Sequence, residues 1–70
     1  MEISKSKGVI ESILFSAGRE VKITELMSAL EASSEEIITI VESMKEDYKN
    51  EDRGLQIINV GEAYQLCTKQ

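Results

Sequence analysis

Ile23-Thr24-Glu25-Leu26-Met27-Ser28-Ala29-Leu30, then Glu31-Ala32-Ser33-Ser34, then Glu35-Glu36-Ile37-Ile38-Thr39-Ile40-Val41-Glu42-Ser43-Met44-Lys45-Glu46-Asp47-Tyr48, is the stretch that sets the architecture. It reads as two helices with almost nothing between them. Thr24 is the expected N-cap of the shorter one, and Leu26, Met27 and Leu30 recur at the spacing of one helical face. Ser33 and Ser34 cap the longer one, where Glu35 and Glu36 complement the positive end of the helix dipole. Its buried face is expected to be Ile37, Ile40, Val41, Met44 and Tyr48. Glu42, Lys45, Glu46 and Lys49 form the polar face, with Glu42–Lys45 favourable and Glu42–Glu46 a like-charge pair. Only Ala32 to Ser34 join the two helices, so they cross as a helix-turn-helix.

Working outward, Ile10, Ile13, Leu14 and Ala17 repeat at i, i+3, i+4 and i+7, predicting a first helix that starts between Ser4 and Ser6. Gly18 ends it, because glycine enters the left-handed conformation after a helix without steric cost. Val21 and Ile23 flank Lys22 as a very short strand. On the other side, Asn50 to Gly54 is a polar connection. Leu55–Val60 and Tyr64–Thr68 are β-rich runs separated by Gly61-Glu62-Ala63, which predicts a hairpin. The short first strand pairs with the hairpin and completes a sheet that two strands alone would barely sustain. The order helix, strand, helix, helix, strand, strand predicts an α+β fold, a winged helix-turn-helix of three helices and a small antiparallel sheet.

The chain has 70 residues, enough for one small domain. Eight Lys and Arg face thirteen Asp and Glu, a net charge of −5, and no histidine is present. That balance gives no broad positive field for a phosphate backbone or an anionic membrane face. No apolar run approaches the ~20 residues that cross a bilayer, and Cys67 alone cannot form an internal disulfide. A cytoplasmic location is the expectation. Without histidine there is no general base, imidazole ligand or nucleophile–base pair of the usual kind. Cys67 lies in a predicted strand as a small apolar side chain, and the glycines are too scattered to cradle a phosphate. The chain is therefore read as no enzyme, with no catalytic, cofactor-binding or metal-ligating residue assigned and no cofactor expected.

A winged helix invites a DNA-binding reading, which lays the third helix in the major groove with its N-terminal residues on base edges. Here that end holds Ser33-Ser34-Glu35-Glu36. Between Glu31 and Asp52 there are eight acids and two lysines. The wing tip, Gly61-Glu62, is acidic too. Lys5, Lys7, Arg19, Lys22 and Lys69 remain as a possible basic patch elsewhere. A small DNA-binding transcription regulator is thus the alternative to a protein-binding module. Phe15 falls about 140° from Ile10 on the helical wheel, and Ile38 about 100° from Ile37, both off the faces that enter the core. Either they close the edge of a small core or meet the hairpin, or they lie at a subunit interface. They are the candidate interface residues.

Ile10-Glu11-Ser12-Ile13-Leu14-Phe15-Ser16-Ala17-Gly18-Arg19-Glu20-Val21 resembles the opening of bacterial segregation and condensation protein B. The resemblance continues through Ile23-Thr24-Glu25-Leu26, Ser34-Glu35-Glu36-Ile37 and Met44-Lys45-Glu46-Asp47-Tyr48. It closes with Asp52-Arg53-Gly54-Leu55-Gln56-Ile57 and Tyr64-Gln65-Leu66-Cys67-Thr68-Lys69. Two departures stand out: Val21 follows Glu20 where the family often has Glu-Pro, and Gly61-Glu62-Ala63 replaces a glycine-richer turn. The resemblance implies a non-catalytic accessory subunit of the SMC condensin complex, acting in chromosome condensation and segregation. Such subunits have two tandem winged-helix domains, form a homodimer chiefly through the first, and bind the kleisin subunit, segregation and condensation protein A, and through it SMC. Residues 1–70 are then one winged-helix domain, the N-terminal half of a longer two-domain protein. A cytoplasmic subunit associated with the nucleoid through its complex is implied, with no membrane and no sequence-specific nucleic acid as direct partner.

Overall fold

A computed structural model of the chain describes residues 3–50 and 54–69. Helix α1 spans Ile3–Ala17, strand β1 Val21–Lys22, helix α2 Ile23–Leu30 and helix α3 Ser34–Asn50; strands β2 Leu55–Val60 and β3 Ala63–Thr68 complete the chain. The expected α+β order is the observed one. The three strands form one antiparallel sheet in the order β1-β3-β2. The long middle strand thus holds the two-residue β1 on one side and its hairpin partner on the other.

Helical spacing explains the core. Ile10 and Leu14 of α1 lie one turn apart and are fully buried, as are Leu26 of α2 and Ile37 and Val41 of α3. Met44 and Tyr48 continue the α3 stripe, and Val21, Ile57 and Tyr64 close the cluster from the sheet. Ile40 and Ile13, expected in the core, are only partly buried and pack against its edge. Ser6 joins the buried set, a position with no apolar signal in the sequence. The Tyr48 hydroxyl donates a hydrogen bond to the Glu11 carboxylate, so this core aromatic also ties α3 to α1.

Helix α1 starts at Ile3, just before the expected Ser4 to Ser6, and four further boundaries differ from the sequence reading. Ile23 is not a strand residue but the first residue of α2, and Thr24 sits inside the first turn instead of capping it. The cause is Glu25, whose carboxylate reaches back to accept the Lys22 N–H at 2.8 Å and so satisfies an amide the helix leaves open. At α3, Ser33 alone is the cap and Ser34 is already helical. The Ser33 hydroxyl accepts the Glu36 N–H at 3.2 Å, and the Glu36 carboxylate accepts the Ser33 N–H at 3.3 Å. Glu36 therefore completes a reciprocal capping box as well as meeting the dipole. The hairpin turn is Gly61-Glu62 only, and Ala63 begins β3 opposite Val60. Gly61 has φ +62° and Glu62 does not share the positive φ, the pattern of a type II′ turn, whose twist suits two strands. Finally, Asn50 belongs to α3, while residues 51–53 of the expected connection lie outside the described residues.

The helix ends make a pair. Gly18 adopts φ +62° after α1, as its position predicted. Glu31 does the same after α2, at φ 53° and ψ 46°, although it carries a side chain. The Ala32 N–H bonds to the Met27 carbonyl at 3.1 Å, so this strained residue closes α2 and lets the short link turn into α3.

Candidate protein-docking surfaces

The face a DNA-reading winged helix would use is built here from the first turns of α3 and the β2–β3 turn. At the start of α3, the amides and positive dipole end are already met by the Ser33 hydroxyl and the Glu36 carboxylate. The Ser33 hydroxyl also donates to Glu36, at 3.1 Å. A phosphate placed there would displace a carboxylate and face exposed Glu35 beside it.

Nor do the remaining cations assemble into a patch. The Lys7 ammonium sits 2.7 Å from the Asp47 carboxylate, and the Arg19 guanidinium 3.4 Å from that of Glu25. Lys69 donates to the Tyr48 carbonyl at 2.6 Å. Within the basic set Lys5, Lys7, Arg19, Lys22 and Lys69, three members are thereby engaged with separate partners. Two forces hold the Glu25 carboxyl below its ordinary pKa of 4.5: the Lys22 N–H that it accepts, and then the Arg19 side chain.

Between the start of α2, the first two turns of α3 and the hairpin runs an open trough. Ile23, Thr24 and Met27 of α2 form one side, Ser34 and Ile38 of α3 the other. A separate recess, lined by Glu20, Lys22, Val60 and Ala63, lies on the opposite face of the sheet, because Val60 and Ala63 point away from Asn59 and Tyr64. Ile38 and Val60 are each 42% exposed, large apolar residues that the monomer leaves in water. Ile38 is outside because Ile37 and Val41 take the inward stripe, and the next residue is rotated by about 100°. Under the trough a polar chain stiffens the wall: Glu42 pairs with Lys45 at 3.6 Å, Lys45 donates to Asn59, and the Lys45 ammonium lies 5.4 Å from the Tyr64 ring centroid. Burial pushes the Tyr64 hydroxyl above its usual pKa of 10.0, Glu42 adds to that, and a hydrogen bond with Asn59 opposes it.

The second apolar surface lies on α1. Phe15 is 73% exposed, far more than any other large apolar residue among the described ones, and a shallow recess lined by Glu11, Ser12 and Ser16 adjoins it. Leu14 takes the buried position beside it, which turns the phenyl ring outward. Neither Phe15 nor Ile38 closes the edge of the core. The structure keeps them apart, on different helices and different recesses. Val60 was missed by the sequence reading because strand alternation alone does not say which face of a hairpin stays uncovered.

A third recess, at the α2–α3 corner, is lined by Leu30, Glu31, Glu35, Glu36 and Thr39. Its carboxylate Glu36 is held by Ser33, and the Thr39 hydroxyl donates to the Glu35 carbonyl at 2.9 Å. Cys67 is half-buried on β3 opposite Gln56. Among the described residues no helix is long and apolar enough to cross a membrane, and no group of three or more acidic or cysteine side chains has metal-holding geometry.

Residues 8–70 match the family described as segregation and condensation complex subunit ScpB. A segregation and condensation protein B from Brevibacillus brevis is 44% identical over 69 residues, covering 97% of this chain and 36% of its own length. Another, from Lachnoclostridium phytofermentans, is 38% identical over 69 residues, covering 99% and 36%. The chain thus spans little more than a third of the curated relatives that it matches. Among solved structures, a dimer of the ScpB N-terminal domain complexed with ScpA peptide aligns with a TM-score of 0.91 at 29% identity, over 97% of this chain and 85% of that one. ScpB from Mycobacterium tuberculosis aligns at TM-score 0.90 over 99% of this chain and 43% of that one, and its 19% identity speaks for the fold alone.

Proposed function

This chain belongs to the segregation and condensation complex subunit ScpB family, and from that premise we propose that it is a scaffold domain of a bacterial SMC condensin complex. In this reading it catalyses nothing itself. It pairs with a second copy, holds the kleisin subunit, segregation and condensation protein A, and through the kleisin joins SMC in chromosome condensation and segregation. Its place is the cytoplasm, at the nucleoid through the complex. Residues 1–70 are the N-terminal winged-helix domain of a two-domain subunit.

One observation carries the reading: nearly the whole chain superimposes on an ScpB N-terminal domain that is dimeric and complexed with ScpA peptide. The surface chemistry supports it. Apolar side chains remain exposed at Phe15 on α1, at Ile38 on α3 and at Ile58 and Val60 on the sheet, while the end of α3 that would meet DNA carries carboxylates. Phe15, beside Glu11, Ser12 and Ser16 on α1, is the contact for the second copy. Two chains of net charge −5 approach best through such a face. Ile38 is the contact for a different chain.

Co-purification of the full-length protein with the kleisin, followed by mass measurement, tests the whole reading. A stable assembly with two copies of the subunit is expected, and failure to co-purify overturns it. Phe15→Glu should halve the mass of the free subunit in light scattering, since the substitution leaves the core untouched. An unchanged mass with a native circular dichroism spectrum removes Phe15 from the contact. Duplex DNA titrated at low salt should give a flat anisotropy curve; tight, salt-sensitive binding would restore the transcription-regulator alternative.

A further inference from the structure

We propose that the recess where α1 meets the α2–α3 corner, between Ser6, Glu31 and Glu35, binds a primary alkylammonium. The ligand is a protonated amine on an aliphatic stem, as a linear diamine or a lysine side chain presents it.

Ser6 is the observation that points to a ligand. It continues the inward stripe of α1, one turn before Ile10 and two before Leu14, and is 4% exposed. Its hydroxyl has no hydrogen-bond partner among the described residues, yet no sealed side-chain polar atom among them lacks one, so the hydroxyl is within reach of solvent. The opening is this recess, which Ser6 lines. A hydroxyl held still in such a wall is an open acceptor.

The charge around it is negative. Glu31 and Glu35 line the same recess, are exposed, and enter no ion pair among the described residues, whereas Glu25, Glu42 and Asp47 each have a cationic partner. Glu36 is already held by Ser33, and no described Lys or Arg lines the recess. The negative dipole end of α2 lies here too, with no basic residue in its last turn. At Glu31, φ 53° is a backbone that glycine would adopt without strain, so what glutamate adds is a carboxylate.

These groups select one chemistry. An ammonium brings three N–H donors to the Ser6 hydroxyl and the two unpaired carboxylates. Half-buried Leu30 and Ile40 supply apolar wall for the stem. A chelated metal ion is disfavoured, because no three carboxylates among the described residues have metal-holding geometry. Phosphate would meet like charge.

The test titrates 1,4-diaminobutane, and separately Nα-acetyl-lysine amide, into the full-length protein at low salt by calorimetry. Wild type is compared with Ser6→Ala, Glu31→Gly and Glu35→Gln. Ser6→Ala should weaken binding about tenfold, because the hydroxyl is buried, without lowering the Tm, because it has no internal partner to lose. Glu31→Gly and Glu35→Gln should each weaken it about threefold, as suits exposed charges, and Glu31→Gly should do so while raising the Tm. Diamine binding at least about tenfold tighter than the lysine derivative assigns the site to free amines; equal binding assigns it to lysine side chains. Wild-type affinity in all three variants overturns the site. So does equal affinity for butyltrimethylammonium, which has the charge and stem but no N–H donor, and so does displacement of the amine by stoichiometric magnesium.

Discussion

The inward and outward faces of α3 contain the same kinds of aliphatic side chain and do opposite things. Ile37 is fully buried and Ile38, its neighbour in the chain, is 42% exposed. One holds three helices together; the other lines a trough that the monomer does not fill. Hydrophobicity alone therefore ranks the two equally, and only their angle around the helix separates packing from docking. The same contrast separates Leu14 from Phe15 on α1.

The largest effect should come from substituting the two isoleucines one at a time. Ile37→Ala removes a fully buried side chain and is expected to cost about 3 kcal/mol, whereas Ile38→Ala should change stability by under about 0.5 kcal/mol. Urea unfolding followed by circular dichroism measures both. Equal losses would abolish the distinction between the faces. Next comes the cap. Ser33→Ala should destabilise by about 1 kcal/mol, lowering the Tm by about 5 °C, because the Glu36 N–H loses its acceptor. A null result would mean that water replaces the hydroxyl at no cost.

A gain is expected at the other helix end. Glu31 holds a left-handed conformation that glycine occupies without strain, as Gly18 does after α1. Glu31→Gly should therefore raise stability by about 0.5–1 kcal/mol, and a loss would show that the glutamate side chain has a role in the α2–α3 link. The smallest effect concerns acid. Glu25 has a folded pKa below its ordinary 4.5, so its support for the start of α2 is fully present above that pH. That support is lost as pH falls through the lower, folded value. The Tm difference between wild type and Glu25→Gln should be largest at neutral pH and shrink as pH falls below 4.5. A difference that persists in acid would assign the effect to shape instead of charge.

Much of the architecture was legible because it is written in local periodicity. The spacing of Ile10 and Leu14, of Ile37, Val41, Met44 and Tyr48, and the Gly18 stop each describe one element without reference to another. The misreadings fall where two elements meet. Ile23 alternates like a strand residue, yet Glu25 pulls the helix start forward by binding the Lys22 amide. Ala63 belongs to β3 because it faces Val60 and Lys22 at once, a relation that no short stretch of sequence expresses. Glu31 carries no glycine-like signal, and its positive φ follows from the demand that α2 turn quickly into α3.

The candidate surfaces divide the same way. That Phe15 and Ile38 leave the buried stripes follows from the 3.6-residue turn, and the carboxylates at the α3 N-terminus are plain in the chain. Composition and spacing thus settled the helices, the hairpin and the acidic character of the would-be DNA face, since each depends on residues close together in sequence. Folding alone decided that Ile23, Met27 and Ile38 share one trough beside Glu62, and that Val60 and Phe15 stand apart from it. The reason is physical: a groove exists between elements, and its walls are brought together by long-range packing and the Ile23–Glu62 hydrogen bond.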